Sequence, residues 1–324
     1  MLNKWVYKLR IAILGIGSIG GLFLGTLADS NVDLIAVSRG ITATKLSRVG
    51  VILHTPEGSI ETIPPDMFTL FDSESGPIPQ SLSHSCDFAL ICGKANSTTI
   101  LTQIADELLS NEGIAISIQN GLGHAEYIAN ILGRDRVLGC TITHGAWNDS
   151  ESFHWVGRGD IRMGFLDGKP PSENIRYLIS SLHESKLSPK WSDDIQKDIW
   201  IKLLINIAIN PICAITGLRN GDILSIPFLW SQAVRSMEEA SRIAKASGIN
   251  IDDANLTHLL QRVIESTATN RCSMLQDIMS GRETEIDSLC GVIVSKGELF
   301  GIPTPLNSML LGLIKGIEKT SNFK

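Results

Sequence analysis

No CxxC pair, no run of lysine or arginine, and no internal repeat or low-complexity tract occurs in this chain of 324 residues. Each absence removes a class of function. The six cysteines (86, 92, 140, 213, 272 and 290) show no metal-ligand spacing, so they read as small core hydrophobes in a reducing compartment, with no metal and no disulfide. With no basic run and a formal net charge of −6, nucleic acid is excluded as the expected partner. A content of 43% hydrophobic and 19% charged residues excludes disordered and fibrous chains. Lys4, Lys8 and Arg10 before the apolar run 11–28 imitate a signal peptide. Five glycines (15, 17, 20, 21 and 25) make that run a poor export helix, and no membrane partner is expected. The expectation is a cytoplasmic protein, monomer or homodimer, acting on a small molecule.

The length suffices for two domains, and the pattern changes once along the chain. Short apolar strands at 10–14, 33–37, 87–92, 114–118 and 137–142 alternate with helical stretches such as 19–29 and 97–110, and 151–190 adds short strands with glycine-rich turns. Such alternation implies a parallel sheet covered on both faces. From about 191 the periods become helical, at 193–209, 224–247, 252–280, 284–299 and 305–318. The predicted architecture is an α/β Rossmann-type dinucleotide-binding domain (1–190) followed by an all-α C-terminal domain (191–324) carrying substrate and catalysis.

Gly15-Ile16-Gly17-Ser18-Ile19-Gly20 follows the first strand and opens the first helix. In that position the first glycine permits a tight turn, the second lets backbone approach a pyrophosphate, and the third lets helix and strand pack closely. The backbone N–H groups of Ser18 and Ile19 and the helix dipole then point at phosphate. At the end of the second strand an NAD site carries an acidic residue for the ribose hydroxyls. This chain has Arg39 there, 19 residues beyond Gly20. Arginine pairs with a 2′-phosphate, which favours NADP(H). Lys94 follows the third strand and Asn120-Gly121 the fourth, where a doubly wound fold places its cleft. Each also has a plainer reading: Arg39 and Lys94 as surface residues, Asn120-Gly121 as a turn.

In the second half, Lys202, Asn206 and Asn210 stand four apart within the otherwise apolar segment WIKLLINIAINP. In a helix this spacing puts them on one face, drifting about 40° per step. An ammonium and two amides on a nearly all-apolar helix demand polar partners, and a bound small molecule is one such partner. Rival readings are a solvent face, or a strand through the alternation INIAIN. Ser192-Asp193-Asp194 looks like a helix start, and Pro211 should end or kink the helix at Asn210. The stripe should face the cleft beside the Gly15–Gly20 loop. Later, Ser273 and Asp277 lie one turn apart, and Thr284 is placed to cap a helix opening with Glu285, whose carboxylate is either structural or substrate-facing.

Taken in order, these pieces resemble the 2-dehydropantoate 2-reductase (ketopantoate reductase) family over nearly the full length. The shared elements extend to Gly139, Thr143-His144, Asn210-Pro211, Asn220-Gly221, Ser273-Met274-Leu275-Gln276-Asp277, Thr284-Glu285-Ile286-Asp287 and Gly301-Ile302-Pro303-Thr304-Pro305. The resemblance implies NADPH-dependent reduction of ketopantoate to (R)-pantoate, on the route to pantothenate and coenzyme A. It assigns Lys202 as general acid, Glu285 to the substrate's terminal hydroxyl, and Asn206, Asn210, Asn220 and Ser273 to polar substrate contacts. It assigns Asn120 to a place between cofactor and substrate, and Arg39 and Lys94 to the cofactor. A lysine suits an acid role, since its ordinary pKa of about 10.4 keeps it protonated unless strongly desolvated. One departure is Cys290-Gly291, where many members have Asn-Gly. The alternatives are a reductase of another 2-oxo acid and an NADP(H)-sensing regulator; intact Lys202 and Glu285 argue against the regulator.

Overall fold

The computed structural model describes residues 8–321. Its contacts group into two units, one running to Gln119 and resuming over His124–Ile195, the other made of Asn120–Gly123 and the chain from Gln196 onward.

The first unit is Rossmann-type. In chain order it contains β1 (Leu9–Leu14), α1 (Ser18–Leu27), β2 (Val32–Ser38), α2 (Gly40–Val49), β3 (Val51–His54), β4 (Ile60–Ile63), β5 (Thr69–Asp72), β6 (Cys86–Ile91), α3 (Thr98–Leu108), β7 (Leu109–Ser117), α4 (His124–Leu132) and β8 (Val137–Ile142). β9 (Gly145–Asn148), β10 (Phe153–Gly157), β11 (Ile161–Phe165), α5 (Glu173–Glu184) and β12 (Pro189–Trp191) complete it. Eight strands form one sheet in the order β12-β11-β8-β7-β6-β1-β2-β5, parallel from β5 to β8, with β11 antiparallel to β8. All five predicted strands are in it. Ile11, Ala12, Ile13 and Leu14 are consecutive and all buried, as expected of a strand covered on both faces. Strand order reverses between β1 and β6, so the loops after these strands flank the crevice where such sheets bind ligands.

A second sheet, β4-β3-β10-β9, was not foreseen. Its strands are four or five residues long, too short for periodicity to register. Helix α1 packs against it through glycine. A Cβ on Gly21 would lie 2.1 Å from the Phe153 ring, and one on Gly25 2.9 Å from Leu53. Two of the five glycines that spoil an export helix therefore serve packing. Within 151–190, where only strands were expected, α5 is a helix: Ser172 accepts from the Ile175 N–H, and Ile175, Leu178 and Leu182 are buried.

The second unit is all helical: α6 (Ile195–Thr216, whose first residue groups with the first unit), α7 (Asp222–Ser225), α8 (Pro227–Ala246), α9 (Asp253–Ser266), α10 (Ser273–Met279), α11 (Cys290–Phe300) and α12 (Pro305–Ser321). Three boundaries differ from expectation. First, α6 continues through Pro211. Proline removes one N–H and so one bond to the carbonyl four residues back, but residues 207–214 are all buried and packing holds the helix on. Second, the helix expected over 252–280 breaks between α9 and α10. The Ala268 and Asn270 carbonyls there accept from the N–H groups of Gly221 and Asn220. Third, Thr284 caps only a 3₁₀ turn (Ile286–Ser288), so α11 starts at Cys290. Among the described residues, α6 alone is long and apolar enough to cross a membrane. With 67% of its most apolar window buried in the protein, it has the character of a core helix.

Candidate active site

In the first unit, the turn between β1 and α1 carries three glycines, and each has its own reason. Gly15 has φ +92°, and a Cβ on it would stand 2.8 Å from the backbone of Gly93. A Cβ on Gly20 would come within 2.1 Å of the Gly15 carbonyl oxygen. A Cβ on Gly17 would meet nothing within 4 Å, so this residue keeps open space above the turn. No side chain caps α1, and the first-turn N–H groups of a helix have no partner within it. Open space over uncapped N–H groups fits a pyrophosphate. Ile19 is half-buried against the core, and the Ser18 hydroxyl donates to Asn148 Oδ1 at 2.7 Å.

Arg39 is exposed and extended (φ −150°), directly after β2 and at the start of α2. Lys94 is half-buried after β6, next to the Gly93 that abuts Gly15. Sequence reasoning missed a neighbour of the Gly93–Lys94 loop, Gln119. Its Nε2 donates to the carbonyls of Gly93 (2.8 Å) and Lys94 (3.2 Å) and to Thr98 Oγ1 (2.9 Å). The one available signal was a polar residue directly after a buried strand, which is faint.

His144, part of the recognised motif, is structural. Its Nδ1 accepts from the Trp155 indole N–H (3.2 Å) and the Gly159 N–H (3.0 Å). The proton therefore sits on Nε2, which donates to the Leu187 carbonyl at 3.0 Å. Burial, the largest cause, pushes its pKa below the ordinary value of 6.5; Arg158 adds to this, while the bond to Leu187 and the charge of Asp160 oppose it. The unfolded chain thus takes up this proton at higher pH than the folded one. The stability it contributes is present in full above the unfolded value and is lost as pH falls through the folded one. Urea midpoints measured from pH 7.5 to 5 should show wild type losing ground relative to His144→Gln as pH falls. Parallel curves would rule His144 out as the titrating group.

A separate polar cluster lies wholly in the helical unit. Lys202 Nζ donates to Asn120 Oδ1 at 2.7 Å, and Asn120 Nδ2 donates to Glu285 Oε2 at 3.0 Å. The amide orientation follows from chemistry, since an ammonium needs the oxygen and a carboxylate the NH₂. Asn120 reaches this position because Gly121 (φ +100°) lies so close to Ser288 that a Cβ would be 2.5 Å away, and because Leu122 packs on the helical core. Ser288 closes the same turn that carries Glu285.

On α6, Asn206 and Asn210 follow Lys202 at helical spacing. Their side-chain amides make no hydrogen bond among the described residues, although Asn210 is buried. Asn220 is buried and committed: its Nδ2 donates to Thr267 Oγ1 at 3.0 Å and its Oδ1 accepts from the Cys213 thiol at 3.8 Å. Ser273 is exposed at the start of α10, and the preceding Cys272 bonds the Asn210 carbonyl, which ties α10 to this part of α6. The chain thus brings together Lys202, Asn120 and Glu285, leaves Asn206 and Asn210 available, and uses Asn220 to hold its own loops. The replacement noted at Cys290 puts a fully buried thiol at the start of α11.

Residues 11–168 match the family described as ketopantoate reductase PanE/ApbA, and residues 194–318 match its C-terminal part. The 2-dehydropantoate 2-reductase of Archaeoglobus fulgidus is 31% identical over 310 residues, which is 95% of this chain and 98% of that protein. The crystal structure of a PanE/ApbA family ketopantoate reductase from Ralstonia eutropha JMP134 superposes with a TM-score of 0.84 at 25% identity, over 97% of this chain and 100% of the other. A D-mandelate dehydrogenase solved with NADH and anilino(oxo)acetate shares the fold at TM-score 0.88 and 20% identity, over 97% of this chain and 100% of that one. By sequence and by fold, the chain belongs to the ketopantoate reductase PanE/ApbA family.

Proposed function

We propose that the protein reduces ketopantoate to (R)-pantoate with NADPH, a step of pantothenate biosynthesis in the cytoplasm. The observation that carries this reading is the hydrogen-bonded series Lys202–Asn120–Glu285 beside two uncommitted amides on the same helix. A bound nicotinamide dinucleotide supplies the hydride. The residues of this chain do the rest.

As the 2-oxo carbon is reduced, negative charge develops on its oxygen, and the Lys202 ammonium stabilises that charge and donates its proton there. Asn120 Oδ1 holds the ammonium in place beforehand, so less freedom remains to be lost at the moment of reaction. Asn206 and Asn210 offer amide N–H groups to the substrate carboxylate without adding charge. Glu285 accepts from the hydroxyl that distinguishes ketopantoate from simpler 2-oxo acids. Ser273 completes the polar lining, while the Asn220 amide, committed to Thr267 and Cys213, holds its own loops. In the first unit, the Gly15–Gly20 turn, with the backbone of Ser18 and Ile19, holds the pyrophosphate. Arg39 pairs with a 2′-phosphate, and Lys94 and Asn120 make the remaining cofactor contacts. A Rossmann-type fold serves NADH as well, as in the D-mandelate dehydrogenase solved with NADH, so the preference for NADPH rests on Arg39.

A steady-state assay with NADPH or NADH against ketopantoate, 2-oxoisovalerate and pyruvate tests both parts. The expected kcat/KM is highest for NADPH with ketopantoate. Recognition of a hydroxyl by a site built for it discriminates strongly against analogues lacking it, by up to about 10⁴-fold. Equal turnover of 2-oxoisovalerate would transfer the assignment to another 2-oxo acid, and equal use of NADH would remove the role of Arg39.

A further inference from the structure

Gln119 stands where the segment after β7 leaves the sheet, and only 8% of its surface is exposed. Its Nε2 carries two hydrogens and has three acceptors in reach, the Gly93 and Lys94 carbonyls and Thr98 Oγ1, so its donor capacity is fully used. Its Oε1 is buried with no hydrogen-bond partner among the described residues. Turning the amide over would set Oε1 against the two carbonyl oxygens and cost both bonds to them, which fixes the orientation. Methionine would fill the same volume without burying a polar oxygen. What glutamine adds here is its hold on the two carbonyls.

Those carbonyls belong to the loop that supports the glycine turn. Gly93 is the backbone 2.8 Å from where a Cβ of Gly15 would be, and Lys94 opens the short 3₁₀ turn Ala95–Ser97 leading to α3. Ser97 Oγ bonds the same Lys94 carbonyl at 2.7 Å, and Thr98 Oγ1 bonds the Ala95 carbonyl at 2.9 Å. Gln119 therefore ties the end of β7 to both peptide groups on which Lys94 and the Gly15 turn rest. We propose that Gln119 is a positioning residue for dinucleotide binding: it touches no phosphate itself but sets the place of the Gly93–Lys94 backbone. The inference rests on the dinucleotide reading of the Gly15–Gly20 turn.

Direct titration of the purified full-length protein with NADPH, followed by fluorescence or calorimetry, tests it without reliance on turnover. Q119M is expected to raise the NADPH Kd about tenfold. Its KM for ketopantoate at saturating NADPH and its kcat should stay within twofold of wild type. Q119E keeps the size but faces the two carbonyls with a carboxylate, and it is expected to bind NADPH more weakly than Q119M. A Q119M protein that is folded by circular dichroism and binds NADPH within twofold of wild type would overturn the proposal. So would a loss of kcat equal to the loss of NADPH affinity, which a general loosening of the fold would give. If Q119M does not fold, Q119E is read against the same limits. Failure of the wild type to bind either NADPH or NADH would overturn the dinucleotide reading itself, a result separable from any difference between variants.

Discussion

Lys202→Ala is expected to lower kcat for ketopantoate reduction by about 10²–10⁴-fold, the range that general acids contribute, while NADPH affinity stays within twofold. The reasoning follows from the bonding around the side chain. Lys202 gives an N–H to Asn120, and Asn120 in turn donates to Glu285. Without it, the alkoxide forming on the substrate loses both its counter-charge and its proton source. Because the loss concerns charge that exists only in the transition state, it should appear in kcat as well as in kcat/KM. Lys202→Arg is a sharper control, since it preserves positive charge in a planar group that gives up a proton far less readily. Near-normal kcat in the alanine variant, measured at saturating NADPH and ketopantoate, would eliminate Lys202 as the acid.

The second large effect concerns two glycines with opposite consequences for the fold. Gly17→Ala should leave the thermal midpoint unchanged, since the added methyl meets nothing within 4 Å. It should nonetheless weaken NADPH binding about a hundredfold, because it occupies the space a pyrophosphate must enter. A displacement of about 1 Å at such a contact has effects of that order. Gly20→Ala should lose both, since its methyl would be 2.1 Å from the Gly15 carbonyl oxygen and the turn must open to admit it. Comparing melting curves with NADPH titrations for the two variants separates the claims. If Gly17→Ala binds NADPH normally, the open space above the turn is not where phosphate sits.

The first strand, the glycine turn and α1 were legible because chemistry and spacing coincide there: three glycines, each with a distinct steric reason, directly after four consecutive apolar residues. The Lys202–Asn206–Asn210 stripe was legible because a period of four on an apolar helix is uncommon. Its link to Asn120 was not, since the partners are 82 and 165 residues apart in sequence and meet through the backbone of Gly121 and Ser288. The second sheet escaped because its strands are short, and α6 outran its proline because buried neighbours on both sides outweigh one missing N–H. The chain also divides into helices α9 and α10 where hydrogen bonds from Asn220 and Gly221, nearly fifty residues upstream, take the loop carbonyls. Gln119 left almost no trace. Two of its partners are backbone carbonyls, which every residue possesses, so nothing in the side-chain pattern marks them.

Asn120 has one more effect on the lysine it holds. Its amide can meet the ammonium only with its oxygen and the carboxylate only with its NH₂. Turning the amide over would break both bonds at once, so Asn120 works as a one-way coupling. The placement of Glu285 is passed to Lys202 through two hydrogen bonds, and a shift at either end is felt at the other.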